Sequence, residues 1–430
     1  MSKKVRVIET VKTLIIAALI CSALWLVGES RMFQVAGVLG SVGHAGETAG
    51  TQSAPAQQHV MPVRMAVMSE GGCCGIQYGS ENLNGMFDRM APLLNEAVSG
   101  AEAPREITAE DWQKALISAP GVYFDFQGSV PLSVLAGWLS GKENPLLTAY
   151  ARHLLLAADG DGGVMLAYRD ENTGRYFASR TQLVNLGHLR SAVAQTTPNG
   201  AVFACQAANY NVLAPWTILS AQTPQPREYA VTNPLPAGEE GRMDELLNAL
   251  SFPLGITTVY ETPEGRRARS GNDTLSVSND GLVTYHSTRD EERYPVLPGD
   301  GESDLFAAVD GATRLVYGVL NLWRGEGRVC LERAEDRGDG TFWMTFRYVL
   351  DDTPVRTGQR GYAATVLVDR GYITEFELQL RTYTALEQTT LVLPQPQAAA
   401  VLVDLGQTGS QLELRYQDNG DMARAGWVAN

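Results

Sequence analysis

The chain has 430 residues, 44% of them hydrophobic and 19% charged, with a formal net charge of −14. These are globular values, and the length allows about two or three domains at roughly 150 residues each. The first twelve residues carry +3 and the remainder −17, a balance that repels phosphate backbones and leaves no nucleic-acid partner expected without a basic stripe.

Residues 1–30 read as a cytoplasmic tip and transmembrane anchor. Leu14, Ile15, Ile16, Ala17, Ala18, Leu19, Ile20, Cys21, Ser22, Ala23, Leu24, Trp25, Leu26 and Val27 form an unbroken run of low polarity. With Val11 to Thr13 added, it approaches the roughly 17 residues that a short span requires. Lys3, Lys4, Arg6 and Lys12 precede the run, whereas only Arg31, beside Glu29, follows closely. The positive-inside bias therefore puts the N-terminus in the cytoplasm and the bulk outside, a single-pass protein of the cell membrane. A cleaved signal peptide is the competing reading, but Trp25 to Ser30 offers no small-x-small cleavage site. Residues 31–59 follow as a flexible tether, because the Gly, Ala, Ser, Thr and Gln composition from Gly37 to His59 buries too little apolar area to offset chain ordering.

Order resumes at Met61–Met68, which alternates like a strand and leads into a glycine-rich turn at Gly71–Gly75. Leu83, Met86, Phe87, Met90, Leu93, Leu94 and Ala97 recur at helical spacing, with Pro92 a candidate kink. Thr108, three residues before Asp111, opens another helix. Val122–Phe126 reads as a strand, and Pro131 to Leu139 as a helix that begins on a first-turn proline. Strands at 154–157, 164–168 and 176–178 are separated by turns at Asp159–Gly163 and Asn172–Gly174. Residues 60–230 thus form an N-terminal α+β region. Thr223 to Gly238, holding four of the twenty prolines, is the boundary after it.

Beyond that boundary one pattern occurs twice. A helix at 243–250 precedes strands at 256–260, 275–277 and 282–285, a middle unit over 239–300. A helix at 304–323 precedes strands at 342–349, 362–368 and 372–376, a C-terminal unit over 301–430. The turns Asn279-Asp-Gly and Asp369-Arg-Gly occupy equivalent places. The expected class is therefore α+β: one transmembrane helix, then extracytoplasmic domains that include two tandem helix-plus-antiparallel-sheet units, similar to PepSY modules.

Catalytic signatures are missing: there is no nucleophile elbow, His-Glu-x-x-His or phosphate loop. His44, His59, His153, His188 and His286 never fall at ligand spacing, and no metal or cofactor is expected. Asp159-Gly-Asp161 reads as a hairpin turn, since the loop lacks the later acidic ligands of a calcium site. Asp351–Asp352 and Glu291–Glu292 read as solvated pairs, and Arg266, Arg267 and Arg269 as a solvated hairpin turn. The stripe Leu305, Val309, Ala312, Val316, Val319 and Trp323 packs a helix on its own sheet. An oxidising exterior permits Cys205 to pair with Cys330, or either with the vicinal Cys73 and Cys74; free buried thiols are the default.

The basic N-terminus with Glu9-Thr-Val-Lys-Thr-Leu-Ile-Ile, the stretch Trp112 to Trp138, the run from Phe346-Arg-Tyr-Val-Leu-Asp-Asp-Thr-Pro-Val-Arg to Tyr372-Ile-Thr-Glu-Phe, and Leu412-Glu-Leu-Arg-Tyr with Trp427-Val resemble the YycH/YycI family. Its members are membrane-anchored regulators of the WalK (YycG) sensor histidine kinase. The chain departs from the family pattern at Ala425–Gly426, where a proline usually precedes the tryptophan. The resemblance implies a non-enzymatic regulator of a two-component system. It implies a WalK-like kinase and a second YycH/YycI-type protein as partners, the membrane as platform, and no catalytic residues to carry over. Alternatives from other classes are an envelope hydrolase with a scattered site and a PepSY-like inhibitor or spore-envelope protein.

Overall fold

A computed structural model of the chain describes residues 61–220, 222–236, 240–271, 273–287, 293–296, 304–404 and 409–429. The expected anchor and tether, with Cys21, Trp25, His44 and His59, lie outside the described residues, as do Glu291 and Glu292. Among the described residues no helix is long and apolar enough to cross a membrane.

The chain runs β1 (Arg64–Ser69), β2 (Gly72–Gln77), α1 (Ser80–Ser99), β3 (Arg105–Ile107), α2 (Ala109–Ile117), β4 (Gly121–Pro131), α3 (Leu132–Ser140), β5 (Tyr150–Ala158), β6 (Val164–Asp170), β7 (Tyr176–Thr181) and α4 (Leu186–Val193). The strands form an antiparallel sheet in the order β2-β1-β4-β5-β6-β7-β3. Both faces are covered. Met65, Phe124, Leu154 and Leu156 pack with Phe87, Met90 and Leu94 of α1, Leu135 of α3 and Leu189 of α4. On the other face Ala66, Tyr123 and Leu155 pack with Trp112 and Leu116 of α2. Burial on two faces explains why β4 and β5 read as near-continuous apolar runs rather than strict alternations.

Next come β8 (Val202–Phe203), β9 (Ile218–Leu219), β10 (Arg227–Thr232), α5 (Glu240–Ala249), β11 (Thr258–Thr262), β12 (Gly265–Ser270), β13 (Asp273–Ser278), β14 (Leu282–His286), α6 (Leu305–Leu320), β15 (Arg328–Gly338), β16 (Thr341–Leu350), β17 (Thr353–Thr357), β18 (Ala364–Asp369), β19 (Tyr372–Gln379), β20 (Thr382–Thr389), α7 (Gln395–Asp404), β21 (Leu412–Asp418) and β22 (Met422–Ala429). Helix α5 is followed by the meander β11–β14, and α6 by β15, β16, β18 and β19. The last strands of the two runs pair with each other, Leu282 opposite Gln379 and His286 opposite Glu375. The result is an antiparallel sheet in the order β11-β12-β13-β14-β19-β18-β16-β15. Its alternation is plain in β16, where Phe342, Met344, Phe346 and Tyr348 are buried and the residues between them are partly exposed. The buried face meets α6 through Val309, Ala312, Val316 and Val319; the other face is more exposed, except where Val63 packs with Cys330 and Val349.

A third sheet has the order β17-β21-β22-β10-β20, antiparallel except for β17 with β21. It connects to the central sheet through the β16–β17 hairpin. Strands β4 and β15 meet at Ser129 and Arg333. The fold is mixed α+β, with seven helices among the described residues.

Local signals account for much of this. Thr108 accepts from Asp111 N at 3.0 Å and caps α2 as its sequence demands. Gly141 takes φ 74 and its N–H bonds Gly137 O, a left-handed stop for α3. Three expectations need correction. Gly71–Gly75 is not all turn, because Cys73 and Cys74 lie in β2. Gly75 is small for packing, since a Cβ there would sit 2.7 Å from both Ala201 Cβ and Ile218 Cγ2. Arg266, Arg267 and Arg269 are not a turn but part of β12; the turn is Pro263–Glu264, and arginine stems lie readily along a half-open sheet. Asp351 and Asp352 do not lie on a strand as solvated acids. With φ 44 and 56 they form the two-residue turn between β16 and β17, and Asp352 is buried.

Candidate functional site

Charges lie deep in the junction between the first sheet and β21. Arg64 of β1, Asp125 of β4 and Glu413 of β21 are all buried, and Arg152 of β5 is nearly so. Arg152 grips Asp125 with two bonds, Nε to Oδ1 at 2.8 Å and Nη2 to Oδ2 at 3.2 Å. Arg64 donates from Nε to Asp125 Oδ2 at 2.9 Å and from Nη2 to Glu413 Oε2 at 2.7 Å. A second bond to Glu413 Oε2 comes from Arg152 at 3.0 Å, and Arg415 donates to Oε1 at 3.0 Å. Gln411 Nε2 and the Gln127 N–H supply Asp125 with two further bonds.

Burial alone would push both acids up. The guanidiniums of Arg152 and Arg64 outweigh it, holding Asp125 well below the usual carboxylate range and Glu413 at about 2. A carboxylate that is ionised and accepts from every side is a poor general acid or base at neutral pH. The arrangement acts as a clamp, tying strands 349 residues apart in sequence.

The network extends through β5 and β6. His153 Nδ1 lies 3.3 Å from Glu171 Oε1, and Arg169 donates to Glu171 Oε2 at 2.7 Å while its guanidinium sits 5.6 Å from the Trp216 ring centroid. Trp216 Nε1 returns to Gln411 at 3.3 Å. On the other side, Tyr78 is held at φ 62, a region an aromatic residue rarely adopts, and its hydroxyl accepts from Leu414 N at 3.3 Å. Tyr78 also lines a cavity of about 620 Å³ with Gln77, Ser220, Gln222, Thr223, Pro224, Gln225 and Gln395, a lining without carboxylate, amine or imidazole.

A second hollow, about 280 Å³, opens on the free face of the central sheet. There His286 pairs with Glu375 at 3.0 Å and the Tyr362 hydroxyl donates to Glu377. Cys73, Cys74, Cys205 and Cys330 are all free thiols, with Cys205 exposed. His188 lies near Glu96, far from His153 in the chain. Among the described residues no three His, Cys, Asp or Glu side chains gather as a metal site. Asp159 and Asp161 instead share Arg180 at the β5–β6 turn.

None of the four clamp residues stood out in the sequence. A signal was present, however: Asp125 interrupts the apolar run Val122–Phe126, and Glu413 stands between two leucines. Charges in strands buried on both faces must find partners.

Fold and site together define a large α+β protein built on three linked sheets and closed by a buried ionic clamp. The solved structure of YycH from Bacillus subtilis has this fold: it matches 89% of this chain and 96% of its own, with a TM-score of 0.54 at 11% identity. No protein-family profile and no curated protein sequence matches the chain.

Proposed function

We propose that this protein is a non-enzymatic regulator of a two-component sensor histidine kinase, anchored by Leu14–Val27 with its bulk outside the cell. It works by contact. The anchor meets the kinase within the bilayer, and the exterior domains carry an envelope signal by favouring one kinase state over another. The single observation that carries this reading is the likeness of fold to YycH over nearly the whole length of both chains. It coincides with the four sequence stretches that resemble the same family. The saturated clamp supports a mechanical rather than a chemical role for the junction.

The two runs of helix and four-stranded meander are read as tandem PepSY-like units joined through β14 and β19. A second YycH/YycI-type protein is a further partner.

Membranes that express the tagged chain should yield a WalK-like kinase on co-purification. Replacing residues 1–30 with an unrelated span should lose it. Undiminished recovery after the swap would overturn coupling through the membrane helix, and no kinase in either preparation would overturn the regulatory reading.

A further inference from the structure

Among the described residues, several sheet edges are covered in part. On β2, the Asn199 side chain occupies the outer edge, accepting from Gly75 N at 3.1 Å and donating to Gly75 O at 2.8 Å. On β20, the segment 324–326 lies alongside: Glu326 N donates to Tyr383 O at 2.9 Å, and Ala385 N donates to the Glu326 carboxylate at 2.8 Å. The far edge of the central sheet, β15, is met by β4 where Arg333 pairs with Ser129.

Its near edge, β11, pairs with β12 on one side, and among the described residues no strand pairs with the other. Thr258-Val-Tyr-Glu-Thr has neither the lysine nor the proline that usually blunts such an edge. Val259 and Tyr260 are 41% and 44% exposed, and Ile256 just before them 73%.

The charge beside this edge is also unusual. In the register of β11 with β12, Thr258 faces Arg269 and Tyr260 faces Arg267. Across β13 and β14 the same rows continue to His286 with Glu375 and to Thr284 with Glu377, which places both arginines on the open face. Both are exposed. Arg269 Nε donates to the Gly271 carbonyl, and among the described residues neither arginine meets a carboxylate. In a chain of net charge −14, these are two neighbouring exposed cations that meet no acid among the described residues.

We propose that β11 is a docking edge for an extended acidic segment of a partner protein, which adds to the central sheet as a further strand. The main chain of the segment would bond the free amides and carbonyls of β11, and its alternate side chains would carry the selectivity. Residues two apart on an added strand point to one face. Carboxylates at that spacing therefore lie on the side of Arg267 and Arg269, within reach of guanidiniums that extend past Thr258 and Tyr260. The docking rests on this edge alone and does not depend on the kinase reading.

The test uses the full chain in a non-ionic detergent and three labelled nine-residue peptides: glutamate alternating with valine, lysine alternating with valine, and the acidic peptide with a central proline. The acidic peptide should bind and should slow amide exchange within 258–262. The lysine and proline peptides should bind at least about tenfold more weakly, and R267E/R269E should cost the acidic peptide a similar factor. The thermal unfolding of the double variant should match that of the parent chain. Equal binding of acidic and lysine peptides, or protection confined to other strands, would overturn the proposal. So would a dimer in sedimentation that buries 258–262 and excludes the peptide, because a second copy would then be the occupant.

Discussion

Asp352 is held in a conflict that pH can expose. Burial raises its carboxyl from 3.8 to about 6; Arg328, which donates to Oδ1 at 3.0 Å, opposes the rise and Asp351 adds to it. Oδ2 is buried without a bond. A carboxyl whose folded value lies above its unfolded value keeps its proton longer in the native state. Stability is therefore lost as pH climbs from about 4 to about 6 and stays lost above. Asp352→Asn has no proton to give up, and asparagine suits the left-handed backbone there as aspartate does. The variant should gain on the parent protein as pH rises through that window, by about 1–3 kcal/mol at pH 7, measured by urea unfolding at pH 4 and 7. A pH-independent difference would refute the assignment.

Glu413 has the opposite sign. Its folded value of about 2 lies below the ordinary 4.5, so its contribution is complete above pH 5 and fades as pH falls towards 2. Glu413→Ala leaves the Arg64 and Arg152 guanidiniums buried with one acid between them, and should cost about 3–5 kcal/mol at pH 7. Urea midpoints of variant and parent should then converge as the acid limb is approached; an equal gap at pH 3 and pH 7 would count against the clamp as the source.

At the scale of elements, the contact of β4 with β15 depends on one glycine. A Cβ on Gly128 would stand 2.4 Å from Leu331 O and 2.5 Å from Glu332 O, both backbone atoms that no rotamer change removes. Gly128→Ala should destabilise the protein by about 1–3 kcal/mol, read from its denaturant midpoint. Gly85→Ala, with open space around it on α1, is the control and should be neutral or slightly stabilising.

The same scale shows why some elements were legible and others hidden. Helix α6 repeats its apolar positions over sixteen residues and is capped by Asp304, which accepts from Ala307 N, so period and punctuation agree. Helix α4 has eight residues in a stretch where no helix is expected from the sequence; its advertisement is Asn185, which accepts from His188 N. Strand β10 lies in the proline-rich stretch 223–238, where composition masks a strand stabilised by partners near the end of the chain. The clamp was hidden for a related reason. Sequence displays local period, whereas the partners of Asp125 come from β1, β5 and Gln411 just before β21, and the chain must fold before they meet.

For the molecule as a whole, the order of the strands binds early and late sequence together. The side chain of Gln395 bonds Ser220 N and Ile218 O, Ala214 N bonds Ser410 O, and Leu213 packs with Leu402 and Leu412. With β10 seated between β20 and β22, and Arg64 joined to Glu413, the first and third sheets cannot be exposed separately without breaking buried polar contacts. Such coupling favours one cooperative transition over the described residues despite their number, although chains of this size commonly unfold through intermediates. Trp112 packs behind the first sheet, Trp343 sits on the central sheet and Trp427 on the third. Tryptophan fluorescence and far-ultraviolet circular dichroism should therefore trace coincident urea curves, and Glu413→Ala should move both to lower urea together. If the fluorescence change divides into two steps, or the variant displaces only one of them, the sheets are separable bodies. The clamp would then join neighbours without making them one folding unit.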